Sequence, residues 1–260
     1  MTWERVALRE LEEETGVADA RIVPCGPGNI FSLEVLTVDG HEKRGRYVSS
    51  HVHLNVTYLA VASPDDPLRV KPDENSGVRW MDLDEALAAV EARLGDPMVV
   101  AVGESGLDYF RTADPGRQAQ KESFRAHIEM AARAGLPLQI HDREAHEDTL
   151  AILDECATPD QRIVFHCYSG DAAMAQRLAQ RGWYASFAGP ITYPANSDLR
   201  DALAALPREL VLVETDAPYL TPIPWRGCPN ASYVMAHTVR FIAQLWDVTE
   251  ETACRSAACV

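Results

Sequence analysis

From about Pro97 onward the chain repeats one pattern: a short apolar run, a loop, then a longer amphipathic stretch. The apolar runs are Met98–Val102, Leu136–Ile140, Ile163–Phe165, Trp183–Phe187 and Leu210–Val213. Helical spacing of apolar residues marks 117–134, 143–156, 171–181 and 197–205, and then 231–245. Runs this short fit buried strands, and the stretches between them are long enough for helices. Alternation of the two predicts βαβ units and a parallel sheet covered by helices. That topology also fixes where chemistry belongs, because parallel α/β folds gather their functional groups where strands end at their carboxyl side.

A potential metal ligand stands at that end of four predicted strands: Glu104 after Val-Val-Ala-Val-Gly, His141 after Pro-Leu-Gln-Ile, His166 after Arg-Ile-Val-Phe, and Asp216 after Leu-Val-Leu-Val-Glu-Thr. A single strand-end histidine reads as an ordinary structural residue; four ligand types in the same position form a pattern. Two histidines and two carboxylates suit Mg, Mn or Zn with water completing the shell. Such a site lowers the pKa of water and polarises a phosphoryl or carbonyl oxygen, so metal-assisted hydrolysis is the predicted reaction class. The formal net charge of −15 over 260 residues excludes a broad basic surface for duplex DNA. It leaves room for a nuclease whose divalent ions supply positive charge locally. No apolar run is long enough to span a membrane, and no secretory leader is legible in the opening Met-Thr-Trp-Glu-Arg. The six cysteines lack any C-x-x-C pairing and read as reduced thiols of a cytoplasmic protein.

The strings around the four ligands are Gly103-Glu104-Ser105-Gly106-Leu107-Asp108-Tyr109-Phe110, Ile140-His141-Asp142-Arg143, His166-Cys167-Tyr168-Ser169-Gly170 and Glu214-Thr215-Asp216-Ala217-Pro218-Tyr219-Leu220. In order and approximate spacing they resemble the TatD family of metal-dependent deoxyribonucleases over roughly residues 85–257. The resemblance implies a (β/α)8 barrel holding a pair of divalent ions. Glu104 would bridge the ions, His141 and His166 would hold one, and Asp216 would hold the other and help deprotonate the attacking water. It further implies that Arg226 and Asn230, in Trp225-Arg226-Gly227-Cys228-Pro229-Asn230, touch substrate phosphate. Asp108 and Arg143 are expected to orient ligands from behind. Family members open with a strand carrying a His-x-His pair, which has no counterpart in this segment. About five of eight strands are recognisable, giving an incomplete TIM-like barrel with open sheet edges through which self-association is expected.

The first ninety residues read differently, as a helix, several strands and a second helix. Glu10, Glu13 and Glu14 stand at i, i+3 and i+4, so one helix face carries three carboxylates, a plausible Mg²⁺ site. Gly16 is the expected helix stop. Strands are predicted at Ile22–Val23, Ile30–Val38, Tyr47–Val61 and Val78–Met81, with Asp82 capping a helix from Leu83 to about Arg93. Arg9-Glu10-Leu11-Glu12-Glu13-Glu14-Thr15-Gly16-Val17 resembles the second half of the Nudix hydrolase box, which implies cleavage of pyrophosphate bonds in nucleoside diphosphate derivatives. The Gly and Glu that open that box have no counterpart. Ser50-His51-Val52-His53-Leu54 resembles the missing His-x-His strand, but the Nudix resemblance takes the same residues as an interior strand of another sheet, and that reading is preferred.

The resulting organisation is a partial Nudix-like α+β segment over 1–92 followed by a TatD-like metal-dependent hydrolase domain over 93–260. The leading function is cleavage of DNA phosphodiester bonds, with DNA or a smaller nucleotide as substrate and no membrane partner. The alternatives are a Nudix-type pyrophosphohydrolase working through Glu10, Glu13 and Glu14, or an inactive fusion of two truncated hydrolase fragments.

Overall fold

The structure is a computed structural model and describes residues 2–23, 32–38, 41–43, 46–48, 51–58, 60–72, 77–110, 112 and 114–257. Its contacts divide the chain into two compact units, Met1–Asp82 and Leu83–Val260.

The first unit opens with helix α1 (Trp3–Thr15). It stops where the sequence predicts: Gly16 takes a left-handed φ of 83° and its N–H returns to the Glu12 carbonyl. Short strands follow: β1 (Arg21–Ile22), β2 (Ser32–Val38), β3 (His41–Lys43), β4 (Arg46–Val48), β5 (His51–Thr57) and β6 (Ala60–Val61). They pair antiparallel as three two-stranded ribbons, β1 with β6, β2 with β5 and β3 with β4. The long strand predicted over Tyr47–Val61 is therefore broken into separate pieces. No strand forms at Val78–Met81; Trp80 instead donates its indole N–H to the Asp66 carbonyl at 3.3 Å. Strand propensity there finds no neighbouring ladder to pair with.

The second unit begins with α2 (Leu83–Glu91) and continues β7 (Val102–Asp108), α3 (Asp114–Ala134), β8 (Leu138–Arg143), α4 (His146–Cys156), β9 (Ile163–Phe165), α5 (Ala172–Arg181), β10 (Tyr184–Phe187), α6 (Ser197–Ala205), β11 (Val211–Val213), α7 (Met235–Leu245) and α8 (Glu250–Ala257). The five strands form one parallel sheet in the order β11-β10-β9-β8-β7. Strands laid down in chain order without a reversal are wound as in a (β/α) barrel, whereas a doubly wound sheet reverses at a switch point. The sheet is thus part of a TIM-like barrel.

Alternation along the strands sets which side chains meet the helices. In β8, Leu138 and Ile140 are fully buried among residues of the core such as Phe124, Ile128 and Leu153, while Gln139 and His141 occupy the other face. β9 does the same with Ile163 and Phe165, so His166, next in line, falls on the face of His141. Trp183, Phe187 and Leu178 extend the core along the sheet.

One strand departs from its predicted position. The apolar run Met98–Val102 does not form the strand; pairing with β8 starts only at Val102, and Met98 and Val100 are 84% and 77% exposed. The ladder then skips: Val102 faces Leu138 but Ser105 faces Ile140, so Gly103 and Glu104 together oppose Gln139 alone. This β-bulge turns Glu104 and Asp108 to the His141 face while Ser105 and Leu107 stay buried. α8 extends beyond the predicted elements, and among the described residues no helix is long and apolar enough to cross a membrane.

Candidate metal centre

β7 and β8 lie side by side, and their shared face brings Glu104, Asp108 and His141 together. His141 stands between two carboxylates, with Nδ1 2.5 Å from Glu104 Oε1 and Nε2 3.2 Å from Asp108 Oδ2. Its backbone position depends on Gly106: a Cβ there would lie 1.9 Å from the His141 carbonyl oxygen, at a φ of +157° that side chains rarely tolerate.

The next strand end supplies His166, whose N–H continues the ladder to the Ile140 carbonyl at 3.0 Å. Its ring spans three carboxylates. Nε2 lies 3.9 Å from Glu104 Oε2 and 3.6 Å from Asp216 Oδ1, and Nδ1 donates to Glu214 Oε2 at 2.6 Å. Glu104 thus lies between the two histidines, and Asp216 closes the group on the far side of His166. The four ligand types read from strand ends therefore gather in one place.

Electrostatics follow from this crowding. The hydrogen bond from His141 holds the Glu104 carboxyl below its ordinary range, and Glu104 in turn raises His141. Asp216, with Cys167 and Glu214 adding, pushes His166 up to about 12. Burial pushes the Cys167 thiol up to about 12, so it stays neutral at physiological pH and is a poor nucleophile. The carboxylates favour the protonated rings, so a metal and protons would compete for the same nitrogens. The donor set, imidazole nitrogen and carboxylate oxygen converging on Glu104, fits a hard or borderline divalent ion.

The loop after β11 carries Asp216, which sits at φ 52°. Asn230 ties that loop down. Its side-chain amide donates to the Thr215 and Tyr219 carbonyls at 2.7 and 2.6 Å, its Oδ1 accepts the Ala231 N–H, and its own N–H donates to the Pro218 carbonyl. The resemblance implies phosphate contact for Asn230, but the structure buries it and commits its amide to backbone groups. Arg226 is exposed, its guanidinium 4.3 Å above the Tyr193 ring, and is open to an anion. Arg143 does not reach the ligands; its guanidinium lies 4.0 Å over Phe110.

Two partners escape the sequence reading. Glu214, two residues before Asp216, holds His166 from behind. Asp142, beside His141, points away from it and accepts from His146 Nδ1 at 2.8 Å, raising the His146 pKa. Both needed three-dimensional neighbours to be recognised, though the i, i+4 spacing of Asp142 and His146 was a usable signal.

In the first unit, Glu10, Glu13 and Glu14 lie exposed on α1, with Glu13 3.6 Å from Arg9. They do not bring three ligand atoms within 4.8 Å of one another; among the described residues His166, Cys167 and Glu214 do, and the four strand-end residues lie wider apart than that. Like charges without a cation spread into water. His51 and His53 stand opposite Val38 and Leu36 in the β2–β5 ribbon, outside the parallel sheet. Their side chains lie outside the described residues.

Comparison with known proteins places these observations. The model of the family described as TatD related DNase matches residues 50–258, an interval that starts ahead of the strand-end motifs and takes in His51-Val52-His53. The chain is 43% identical over 169 residues to an uncharacterized metal-dependent hydrolase named TatD from Mycobacterium tuberculosis, covering 62% of each chain. It is 40% identical over 153 residues to the uncharacterized metal-dependent hydrolase YcfH of Escherichia coli, covering 59% of this chain and 57% of that one. It therefore spans about three fifths of the length of these relatives. Among solved structures, the E. coli TatD homologue YjjV superposes with a TM-score of 0.63 at 31% identity over 68% of both chains. The Nudix resemblance of the opening residues draws no support from these comparisons. With a family match running through the strands that build the site, the chain belongs to the TatD family.

Proposed function

We propose that the chain is a metal-dependent hydrolase that cleaves DNA phosphodiester bonds, the single observation carrying this being the convergence of His141, His166 and Asp216 on Glu104. A divalent ion held there would polarise a phosphoryl oxygen and lower the pKa of water. Glu104, His141, His166 and Asp216 are the residues that would hold it. Asp216 lies at the open end of the group, about one third exposed, and is the base that takes a proton from attacking water. Asn230 fixes the loop that presents Asp216, and Arg226, exposed over Tyr193, steadies a phosphate by charge. The names of the curated relatives support metal-dependent hydrolysis, and the family description supports DNA as substrate.

The test is single-stranded DNA incubated with chelator-treated protein to which Mn²⁺ or Mg²⁺ is returned. Asp216→Asn is expected to abolish metal-dependent cleavage while circular dichroism remains unchanged, and Glu13→Gln is expected to leave cleavage intact. Retained cleavage in Asp216→Asn removes the assignment.

A further inference from the structure

The two histidines of the site are held by carboxylates at opposite ring nitrogens. Glu214 Oε2 takes the proton of His166 Nδ1 at 2.6 Å, which leaves Nε2 turned toward Glu104 and Asp216. At His141 the arrangement is reversed: Asp108 faces Nε2 at 3.2 Å, and Nδ1 is turned toward Glu104. Glu214 does a second thing. Its Oε1 accepts the Cys167 N–H, so one carboxylate fixes both the ring of His166 and the backbone turn after it, where Cys167 sits at φ 45°. Both oxygens of Glu214 are thereby engaged, and it is well buried, with a side chain 19% exposed.

We propose that Glu214 is the positioning residue of this centre: it holds the His166 ring from the Nδ1 side so that Nε2 faces Glu104 and Asp216. The inference rests on the metal-site reading above. His166, Cys167 and Glu214 bring ligand-type atoms within 4.8 Å of one another and could be taken for a metal site themselves. Glu214 instead accepts from the His166 ring and from the Cys167 N–H, which is the part of a group that holds a ligand in place. Metal-bound histidines commonly give their second N–H to such a carboxylate, which fixes the ring and raises its basicity. Glu214 precedes Asp216 by two residues in one extended stretch, so the same segment that supplies a ligand carboxylate also orients a ligand imidazole. Its N–H continues the sheet to the Phe187 carbonyl at 3.2 Å, which anchors it to the parallel ladder.

Glu214→Gln is the informative variant. Gln keeps the size and can still accept the Cys167 N–H, but its neutral amide cannot hold the His166 Nδ1–H as a carboxylate does. Mn²⁺ binding to the whole chain is measured by calorimetry, and the hydrogen bond of the His166 Nδ1 proton in metal-free protein by proton NMR of nitrogen-15-labelled histidine. Expected are a loss of about 10–100-fold in Mn²⁺ affinity, loss of the downfield position of the His166 Nδ1 proton, and an unchanged circular dichroism spectrum. Cys167→Ala is expected to keep wild-type Mn²⁺ affinity; a loss there would make sulfur a ligand and overturn the proposal. Wild-type Mn²⁺ binding with equal binding in Glu214→Gln, or an unmoved His166 Nδ1 proton in that variant, overturns the proposal while leaving the metal site standing. Absence of Mn²⁺ binding by the wild type overturns both.

Discussion

His141 and His166 show how single side chains of this unit are tuned by what faces them. Each ring lies between carboxylates, and each is raised above the ordinary imidazole value, His141 chiefly by Glu104 and His166, to about 12, chiefly by Asp216. In the folded state without cation the carboxylates favour the protonated form of both rings. Divalent metal must displace those protons, so binding is expected to release protons at pH 7 and to tighten as pH rises. Calorimetric titration with Mn²⁺ in buffers of different ionisation enthalpy measures this; a heat independent of buffer would contradict it. The pair of His146 with buried Asp142 gives a stability counterpart. A histidine raised on folding stabilises fully below its unfolded value near 6.5 and loses that contribution as pH climbs through the folded value. His146→Gln is therefore expected to cost about 1–2 kcal/mol at pH 6, a figure reduced for its partial exposure, and less at pH 9, by urea unfolding. Glu104, His141, His166 and Asp216 were legible because each follows a short apolar run, although in the structure Glu104 lies in a bulge inside β7 and His141 inside β8. Glu214 was not, since its role depends on a ring supplied by a different strand. Asn230 was misread because a loop motif shows which residue is present but not whether its amide faces substrate or backbone.

At the level of elements, capping and close approach decide what the chain can do. Asp171 caps α5, its Oδ1 accepting the Met174 N–H at 2.9 Å, and Gly182 closes the same helix at φ 69°. Asp171→Ala is expected to cost about 1 kcal/mol, read as a lower denaturation midpoint at unchanged slope. Gly106 matters to the site rather than to a helix, since any side chain there strikes the His141 carbonyl. Gly106→Ala is expected to weaken Mn²⁺ binding at least tenfold along with stability, whereas Asp171→Ala lowers stability alone; equal Mn²⁺ affinity in wild type and Gly106→Ala would sink this reading of the β7–β8 contact. The helices α3 to α7 and the strands β8 to β11 lie close to where periodicity puts them. β7 does not, because the apolar residues 98–101 look more strand-like than the Gly-Glu-Ser-Gly stretch that follows. Pairing with β8 selects the second, and no local pattern contains that information.

Across the whole molecule, the chain divides into two compact units between Asp82 and Leu83, and the parallel sheet of the second carries the ligands. The parallel sheet was legible from alternation and its barrel-like winding only from the family resemblance, while the three small ribbons of the first unit were not legible. Short strands with mixed polar residues, such as Tyr47–Val61, specify pairing weakly. The family match from residue 50 joins sequence from both units, while the ligands that the structure brings together all come from the second. The central claim is that these ligands bind a divalent metal in the folded chain. Thermal unfolding of chelator-treated protein, with and without Mn²⁺, tests it most directly. Ligand at about a hundred times its dissociation constant adds roughly 2.7 kcal/mol to the state that binds it, so one cooperative transition is expected to move up by several degrees with Mn²⁺, and not to move in Glu104→Gln. A transition indifferent to Mn²⁺, or one that shifts equally in Glu104→Gln, would contradict the account.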